Sequence, residues 1–292
     1  MPRQRKVSIG MPVHDGGNHL HKAMESLLSQ TYSDFELVIC DNASGDGTED
    51  ICRAFASRDK RVRYHRHREN VGAGRNFREV FARCRGDYFK WAAHDDVYDA
   101  TYLARCVEVL ESRPDVVLAY SKTILMDAGG REIAKYQDRF NLDRPLPSVR
   151  FQDLLTHLGF CHAVFGLMRS RVLAGTRLMG SYMAADMVLL AEMAMLGRFV
   201  EHPEYLFHRR LHAAASAQAN PDPKSLSVWY DPANKGVPPM KRSRMLVEYL
   251  RAISRVRMPL PEKLKCYLQM ARWSSWWRRD IGAEMRTSLF SQ

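Results

Sequence analysis

Close cysteine pairs are missing from this chain. Six thiols (Cys40, Cys52, Cys84, Cys106, Cys161 and Cys266) are scattered over 292 residues, with neither the C-x-x-C spacing of a zinc site nor the density of a disulfide scaffold. That usage points to a reduced, cytoplasmic protein. Long apolar runs are absent too: stretches such as Val116 to Tyr120 stop far short of the roughly 20 residues that a membrane span needs. The segment Met1-Pro2-Arg3-Gln4-Arg5-Lys6 leads directly into a strand pattern, so neither a signal peptide nor a transmembrane helix is expected. No G-x-S-x-G elbow or H-E-x-x-H pair occurs. Gly72-Ala73-Gly74 is only part of a dinucleotide fingerprint, which argues against a Rossmann dehydrogenase.

What is present suits a single large core. Hydrophobic residues make up 46% of the chain, and the formal charge of +11 implies attraction to anions: nucleotide phosphates, acidic lipid headgroups or nucleic acid. Apolar runs alternate with helical patterns, predicting an α/β sandwich with a mostly parallel central sheet. Strands are read at Val7 to Met11, Phe35 to Cys40, Arg61 to His65, Asp87 to Ala93, Val116 to Ser121, Ala163 to Met168 and Phe199 to Phe207. Helices are read at His21 to Gln30, from Thr48, and at Ala73 to Cys84, Tyr102 to Ser112 and Ala184 to Leu196. Beyond Ala219, Asn220-Pro221-Asp222-Pro223 and Asn234-Lys235-Gly236-Val237-Pro238-Pro239 break regular structure, and two basic helical segments follow, Met240 to Arg257 and Pro261 to Arg279. The division is a catalytic domain over 1–220 and a helical extension over 221–292.

In an open α/β sheet, ligands gather beyond the carboxyl ends of the strands. The residues there are Pro12-Val13-His14-Asp15, Asp41 and His94-Asp95-Asp96. Asp41 can accept from a nucleobase imide or a ribose hydroxyl, or it can make an Asx-turn or cap the helix from Thr48. Asp95 and Asp96 repel each other unless a cation intervenes, and hard oxygen ligands suit Mg²⁺ or Mn²⁺; the competing role is a solvated turn. The histidine clusters at 65/67, 157/162 and 202/208/212 lack zinc spacing and read mostly as surface or core-edge residues.

Taken in order, the segments resemble the family 2 glycosyltransferases with the GT-A fold, of the inverting, spore-coat-polysaccharide type. Ser26 to Ile39 looks like that family's first helix and second strand. Asp41-Asn42-Ala43-Ser44-Gly45-Asp46-Gly47-Thr48 is similar to its D-x-S-x-D-G-T loop, and Asn70-Val71-Gly72-Ala73-Gly74-Arg75-Asn76 to its N-x-G-x-x-R-N segment. His94-Asp95-Asp96 occupies the place of D-x-D, Ala185-Asp186-Met187 that of the catalytic base, and Arg210-Leu211-His212 that of R-x-H. The resemblance spans residues 6 to 216.

It implies inverting, metal-dependent transfer of a sugar from a nucleotide diphosphate sugar, with a UDP-sugar as expected donor, to a carbohydrate or lipid-linked acceptor hydroxyl. The setting would be surface-polysaccharide, glycolipid or secondary-metabolite glycan synthesis. Asp41 would recognise the base, Pro12, Val13, His14 and Asp15 would line the nucleotide, and Arg75 would contact its phosphates. Asp95, Asp96 and His212 would hold Mn²⁺ or Mg²⁺, and Asp95 would also contact the donor. Asp186 would be the general base, kept ionised by a helix N-terminus; the plainer role is a cap. Ala93 replaces the first aspartate of D-x-D, His14-Asp15 replaces Tyr-Asn, and Ala185 replaces an acidic residue.

The extension joins cations (Lys241, Arg242, Arg244, Arg251, Arg272, Arg278, Arg279) to aromatics (Trp273, Trp276, Trp277). An aromatic face packed on the catalytic domain is the preferred reading. Docking on the inner face of a membrane comes next and nucleic acid last, no binding motif for it being present. A homodimer is compatible with the sequence. The alternative function is a non-catalytic protein that binds anionic surfaces through these helices.

Overall fold

The computed structural model describes residues 5–290 except 139, 141 and 158. Among the described residues, nine strands run β1 Val7–Val13, β2 Phe35–Asp41, β3 Val62–Arg66, β4 Tyr88–Trp91, β5 Val97–Tyr98, β6 Val116–Met126, β7 Glu132–Tyr136, β8 Leu167–Arg169 and β9 Arg198–Arg210. The helices are α1 Leu20–Leu28, α2 Thr48–Arg58, α3 Ala73–Ala82, α4 Tyr102–Ser112, α5 Pro147–His157, α6 Ser170–Ala174, α7 Ala185–Leu196, α8 Ser216–Ala219, α9 Pro223–Tyr230, α10 Lys241–Arg255, α11 Leu260–Trp276 and α12 Arg278–Phe290.

One sheet has the order β3-β2-β1-β4-β8-β6-β9-β5, with β7 paired to β6. β1, β2, β3 and β4 are mutually parallel, as are β6 and β9, while β8 joins the two halves antiparallel to both. The expected mostly parallel α/β sandwich is what forms. β1, β2 and β4 read as continuous apolar runs because both faces are covered, and every residue in them is buried. Alternation along β2 then splits the core: Leu37 and Ile39 belong to the cluster that holds Met24, Leu27, Leu103 and Val107 of α1 and α4, whereas Val38 and Cys40 belong to the one that holds Val80 of α3 and the apolar residues of α5 and α7.

The extension is built into the second core. Met245, Tyr249 and Ile253 of α10 and Cys266, Met270 and Trp273 of α11 join Leu189, Leu190 and Met193 of α7 in one cluster. Trp273 is 3% exposed, so truncating it to Ala would cost about 3–5 kcal/mol. Trp277 lies under the Arg242 guanidinium, 3.3 Å from the ring centroid. Of the three tryptophans, Trp276 is the one that faces outward at 59% exposed, while Trp273 and Trp277 pack towards Tyr249 and Arg242 of α10, as the preferred packing reading expects.

Other differences have local causes. The break read at Asn220 to Pro223 instead starts α9, since Asp222 caps the amides of Lys224 and Ser225 and Pro223 occupies the first turn. The strand read over Ala163 to Met168 opens as a 3₁₀ turn, His162–Phe165. The single helix expected over Pro261 to Arg279 divides at Trp277 into α11 and α12. β9 runs three residues past its expected end, which carries Arg209 and Arg210 to the site.

Candidate active site

β1 and β2 pair in register to their last residues, Val13 opposite Asp41, so their following loops emerge together. The Asp15 amide donates to Ser44 Oγ (3.0 Å), the Gly45 amide to Asp15 Oδ1 (2.8 Å) and the Gly17 amide to Asp46 Oδ2 (2.9 Å). Asp15 adopts φ 49°, a left-handed backbone that aspartate tolerates better than most residues. His14 reaches Asn70 Nδ2 at 3.3 Å, and Asn42 Nδ2 donates to Asn70 Oδ1 at 2.8 Å, tying in the third loop. Pro12 and Val13 are buried backbone at the end of β1.

Asp41 is fully buried, and both its oxygens are engaged. Oδ1 accepts from the Ser44 amide and hydroxyl (2.9 and 2.6 Å), and Oδ2 accepts from the Tyr64 hydroxyl (2.6 Å) with Arg66 3.6 Å away. In this geometry it is a turn-former, the alternative weighed from sequence; contact with a base requires Tyr64 or Ser44 to give way. Arg75 stands exposed on the first turn of α3, 3.6 Å from Glu79.

The loop after β4 meets the end of β9. His212 Nε2 lies 2.9 Å from Asp95 Oδ2, each side chain keeping about a tenth of its surface (9% and 11%). Asp96 is fully enclosed: Oδ1 accepts from the Arg210 amide at 2.9 Å, while Oδ2 has no hydrogen-bond partner among the described residues and lies 3.9 Å from Arg209. Burial pushes the Asp96 carboxyl up to about 7. Burial acts on Asp95 as well, but His94, His212 and Arg209 together hold it below the usual carboxylate range. The expected ligand set Asp95, Asp96 and His212 therefore does not converge as three, because the amide of Arg210 draws Asp96 under β9. Among the described residues no three His, Cys, Asp or Glu side chains form a ready metal cage. The Asp95–His212 pair still offers one oxygen and one nitrogen to a divalent ion whose other positions would be filled by phosphate and water, as Mg²⁺ and Mn²⁺ sites usually are.

Asp186 is the second residue of α7, after Ala184, which caps the helix in a left-handed conformation (φ 64°). Its Oδ1 accepts from the Met187 amide at 2.9 Å. Burial pushes its carboxyl up, with Lys241 and Arg209 acting the other way, so desolvation outweighs the helix N-terminus that was expected to keep it ionised.

Three features escaped sequence reasoning. Arg209 acts electrostatically on Asp95, Asp96 and Asp186 and so links the two acidic centres; its sequence signal was adjacency to R-x-H. Lys90 is fully buried, with its ammonium 3.5 Å from the Tyr98 ring centroid and desolvation lowering it to about 7; a lone lysine in an aromatic strand was the signal. His19 crowds the Asp95–His212 pair, meeting the His212 ring edge-on at 4.7 Å, and nothing in its spacing announced it; His94, already placed at the strand end from sequence, acts electrostatically on Asp95.

Residues 8–175 match the model of a family described as glycosyl transferase family 2. An uncharacterized glycosyltransferase of Rickettsia felis is 36% identical over 104 residues, covering 36% of this chain and 17% of that protein. The putative glycosyltransferase EpsE of Bacillus subtilis is 28% identical over 176 residues, 59% of this chain and 60% of that one. The chain thus spans less than two thirds of the length of these curated relatives. Among solved structures, TarS of S. aureus with UDP superposes with a TM-score of 0.63 at 13% identity over 92% of this chain and 72% of that one. The mannosyltransferase PcManGT of Pyrobaculum calidifontis, with GDP-Man and Mn²⁺, gives 0.54 at 15% over 100% and 89%. These two share the fold. With more than half its length matched by the family model and the same GT-A-like sheet, the chain belongs to glycosyl transferase family 2.

Proposed function

We propose that this chain is an inverting, metal-dependent glycosyltransferase that moves a sugar from a nucleotide diphosphate sugar to an acceptor hydroxyl. The observation that carries the reading is the 2.9 Å meeting of Asp95 and His212 at the mouth of the sheet. Asp95 and His212 would hold Mn²⁺ or Mg²⁺, and Asp96 and Arg210 would keep the pair in place from below. Once bound, the ion would offset charge growing on the leaving diphosphate. The loops of His14–Asp15 and Asp41–Asp46 would form the nucleotide's cradle, Asp41 acting through Ser44 and Tyr64, and Arg75 would reach the phosphates from α3. Asp186 would accept the proton of the acceptor hydroxyl. A carboxylate is a weak base towards a sugar alcohol, so a raised affinity for the proton helps, and transfer must accompany attack. Residues 1–220 would carry this chemistry and residues 221–292 would complete its wall.

The donor base is open to UDP and GDP alike, the nucleotides of the two solved neighbours. Surface-polysaccharide synthesis is the proposed setting, in line with the O-antigen biosynthesis protein RfbC of Myxococcus xanthus, 28% identical over 222 residues. Thermal shift with UDP, GDP and their sugars, with and without Mn²⁺, tests the reading through the stability that a ligand of the native state adds. A rise with one nucleotide that grows with Mn²⁺ is expected. No response to any of them would overturn it.

A further inference from the structure

A cavity of about 860 Å³ lies between the loop of residues 177–183, which leads into α7 and Asp186, and the segment running from α9 into α10. Two glycines beside it let the 177–183 loop and the end of α9 pack closely on the start of α3. A Cβ on Gly74 would stand 2.5 Å from Ser181 Cα, and one on Gly72, already at φ 80°, 2.7 Å from the Tyr230 carbonyl oxygen.

Its lining is heavily cationic. Glu248, 1% exposed, is ion-paired to Arg177 (2.7 Å), Arg244 (2.9 Å) and Arg251 (2.9 Å), and all three arginines line the cavity. Glu248 offsets one of these three charges and Asp231 also lines the space, but Arg78 and Lys241 line it too, so the lining carries a surplus of positive charge. Arg78 of α3 also lines the space and bonds the Met179 carbonyl (2.8 Å) and Ser181 Oγ (3.2 Å). Lys241 also lines the space, and it is near enough to Asp186 for their charges to interact. Ser243 Oγ, buried in the same wall, has no hydrogen-bond partner among the described residues. Fixed guanidiniums in surplus and an orphaned hydroxyl are what a phosphate satisfies. The volume lies at the upper end of small-ligand sites and leaves room for a sugar beside that phosphate, against Tyr182, Met183 and Pro238.

We infer that this cavity is the acceptor subsite and that it takes a phosphate-bearing sugar, the phosphate held by Arg177, Arg244 and Arg251 and the reacting hydroxyl directed towards Asp186. The assignment rests on the glycosyltransferase reading above, and it makes the extension part of the substrate site rather than a passive prop.

The test is calorimetric titration of the full chain, with UDP and Mn²⁺ saturating the donor site, by a hexose 1-phosphate in one arm and inorganic phosphate in the other. Binding of the hexose 1-phosphate is expected, at least tenfold tighter than inorganic phosphate. The Arg177→Gln/Arg244→Gln variant should weaken it tenfold or more with UDP affinity unchanged; Arg251→Gln serves the same purpose should the double variant fail to fold. Equal affinity for the two probes would make this a bare anion site and overturn the acceptor assignment. Absence of binding, or indifference to the arginine variants, would overturn the inference outright. UDP binding in the same samples separates the outcomes: without it the glycosyltransferase reading fails, whereas UDP binding without sugar phosphate sinks only this inference.

Discussion

His212 and Asp95 stand 117 positions apart in the chain, yet their Nε2 and Oδ2 atoms lie 2.9 Å apart, because β9 brings the end of the R-x-H segment beside the loop that follows β4. A carboxylate and an imidazole so placed either bond each other or share a cation. If they share one, His212→Ala weakens UDP binding in the presence of Mn²⁺ by about tenfold or more, on the order of 1.4 kcal/mol, and leaves metal-free binding unchanged. Calorimetry with and without Mn²⁺ checks this. An equal loss under both conditions would make His212 a packing residue.

Glu262 fastens α11 to α5. Its Oε2 accepts from the Ser148 amide and hydroxyl at 3.1 and 2.6 Å, and Lys265 lies 2.8 Å from Oε1. The bond from Lys265, then that from Ser148, lowers its carboxyl to about 2. A folded-state value below the unfolded one of about 4.3 means that the ionised clamp stabilises the fold fully above that pH. The contribution is lost as pH falls towards 2. Glu262→Gln should flatten the pH dependence of stability between about 4.5 and 3, as read from urea unfolding at stepped pH. Parallel curves for the two proteins would deny the clamp its role.

The outward face of α11 carries Leu260, Leu264, Leu268 and Trp276, all more than half exposed, beside Lys263, Lys265 and Arg272. An apolar stripe flanked by cations suits the surface of an anionic bilayer. Sedimentation with phosphatidylglycerol vesicles at low salt should recover the wild type in the pellet and leave the Leu264→Glu/Leu268→Glu variant in solution. Trp273→Phe should behave as wild type, since Trp273 points into the core. Equal partition of all three proteins would end the membrane proposal.

The strands and helices of the first half were legible because burial on both faces of β1, β2 and β4 writes unbroken apolar runs, and α4 begins and ends where its periodicity says. The ends of strands that feed the site were less legible. β9 continues through His208, Arg209 and Arg210, polar residues that only its pairing with β5 and β6 makes extended. For Asp41 and Asp96 the sequence left ligand and turn roles side by side, because a carboxylate after a strand looks the same whether it faces a cleft or a backbone amide. What distinguishes them is tertiary: Tyr64 and Ser44 cover one, and the Arg210 amide takes the other. The cationic cavity had no sequence signal beyond scattered arginines, since Arg177 meets Arg244 and Arg251 only through Glu248.

Asp186→Asn tests the central claim most directly, because it keeps the size of the side chain and its bond from the Met187 amide while removing the basic oxygen. With the nucleotide sugar found by thermal shift and a phosphorylated sugar acceptor, a catalytic base predicts that donor and Mn²⁺ affinities stay near wild type while turnover falls by about 100-fold or more. Retention of most of the turnover by the asparagine variant would contradict the account and leave Asp186 a structural residue at the start of α7.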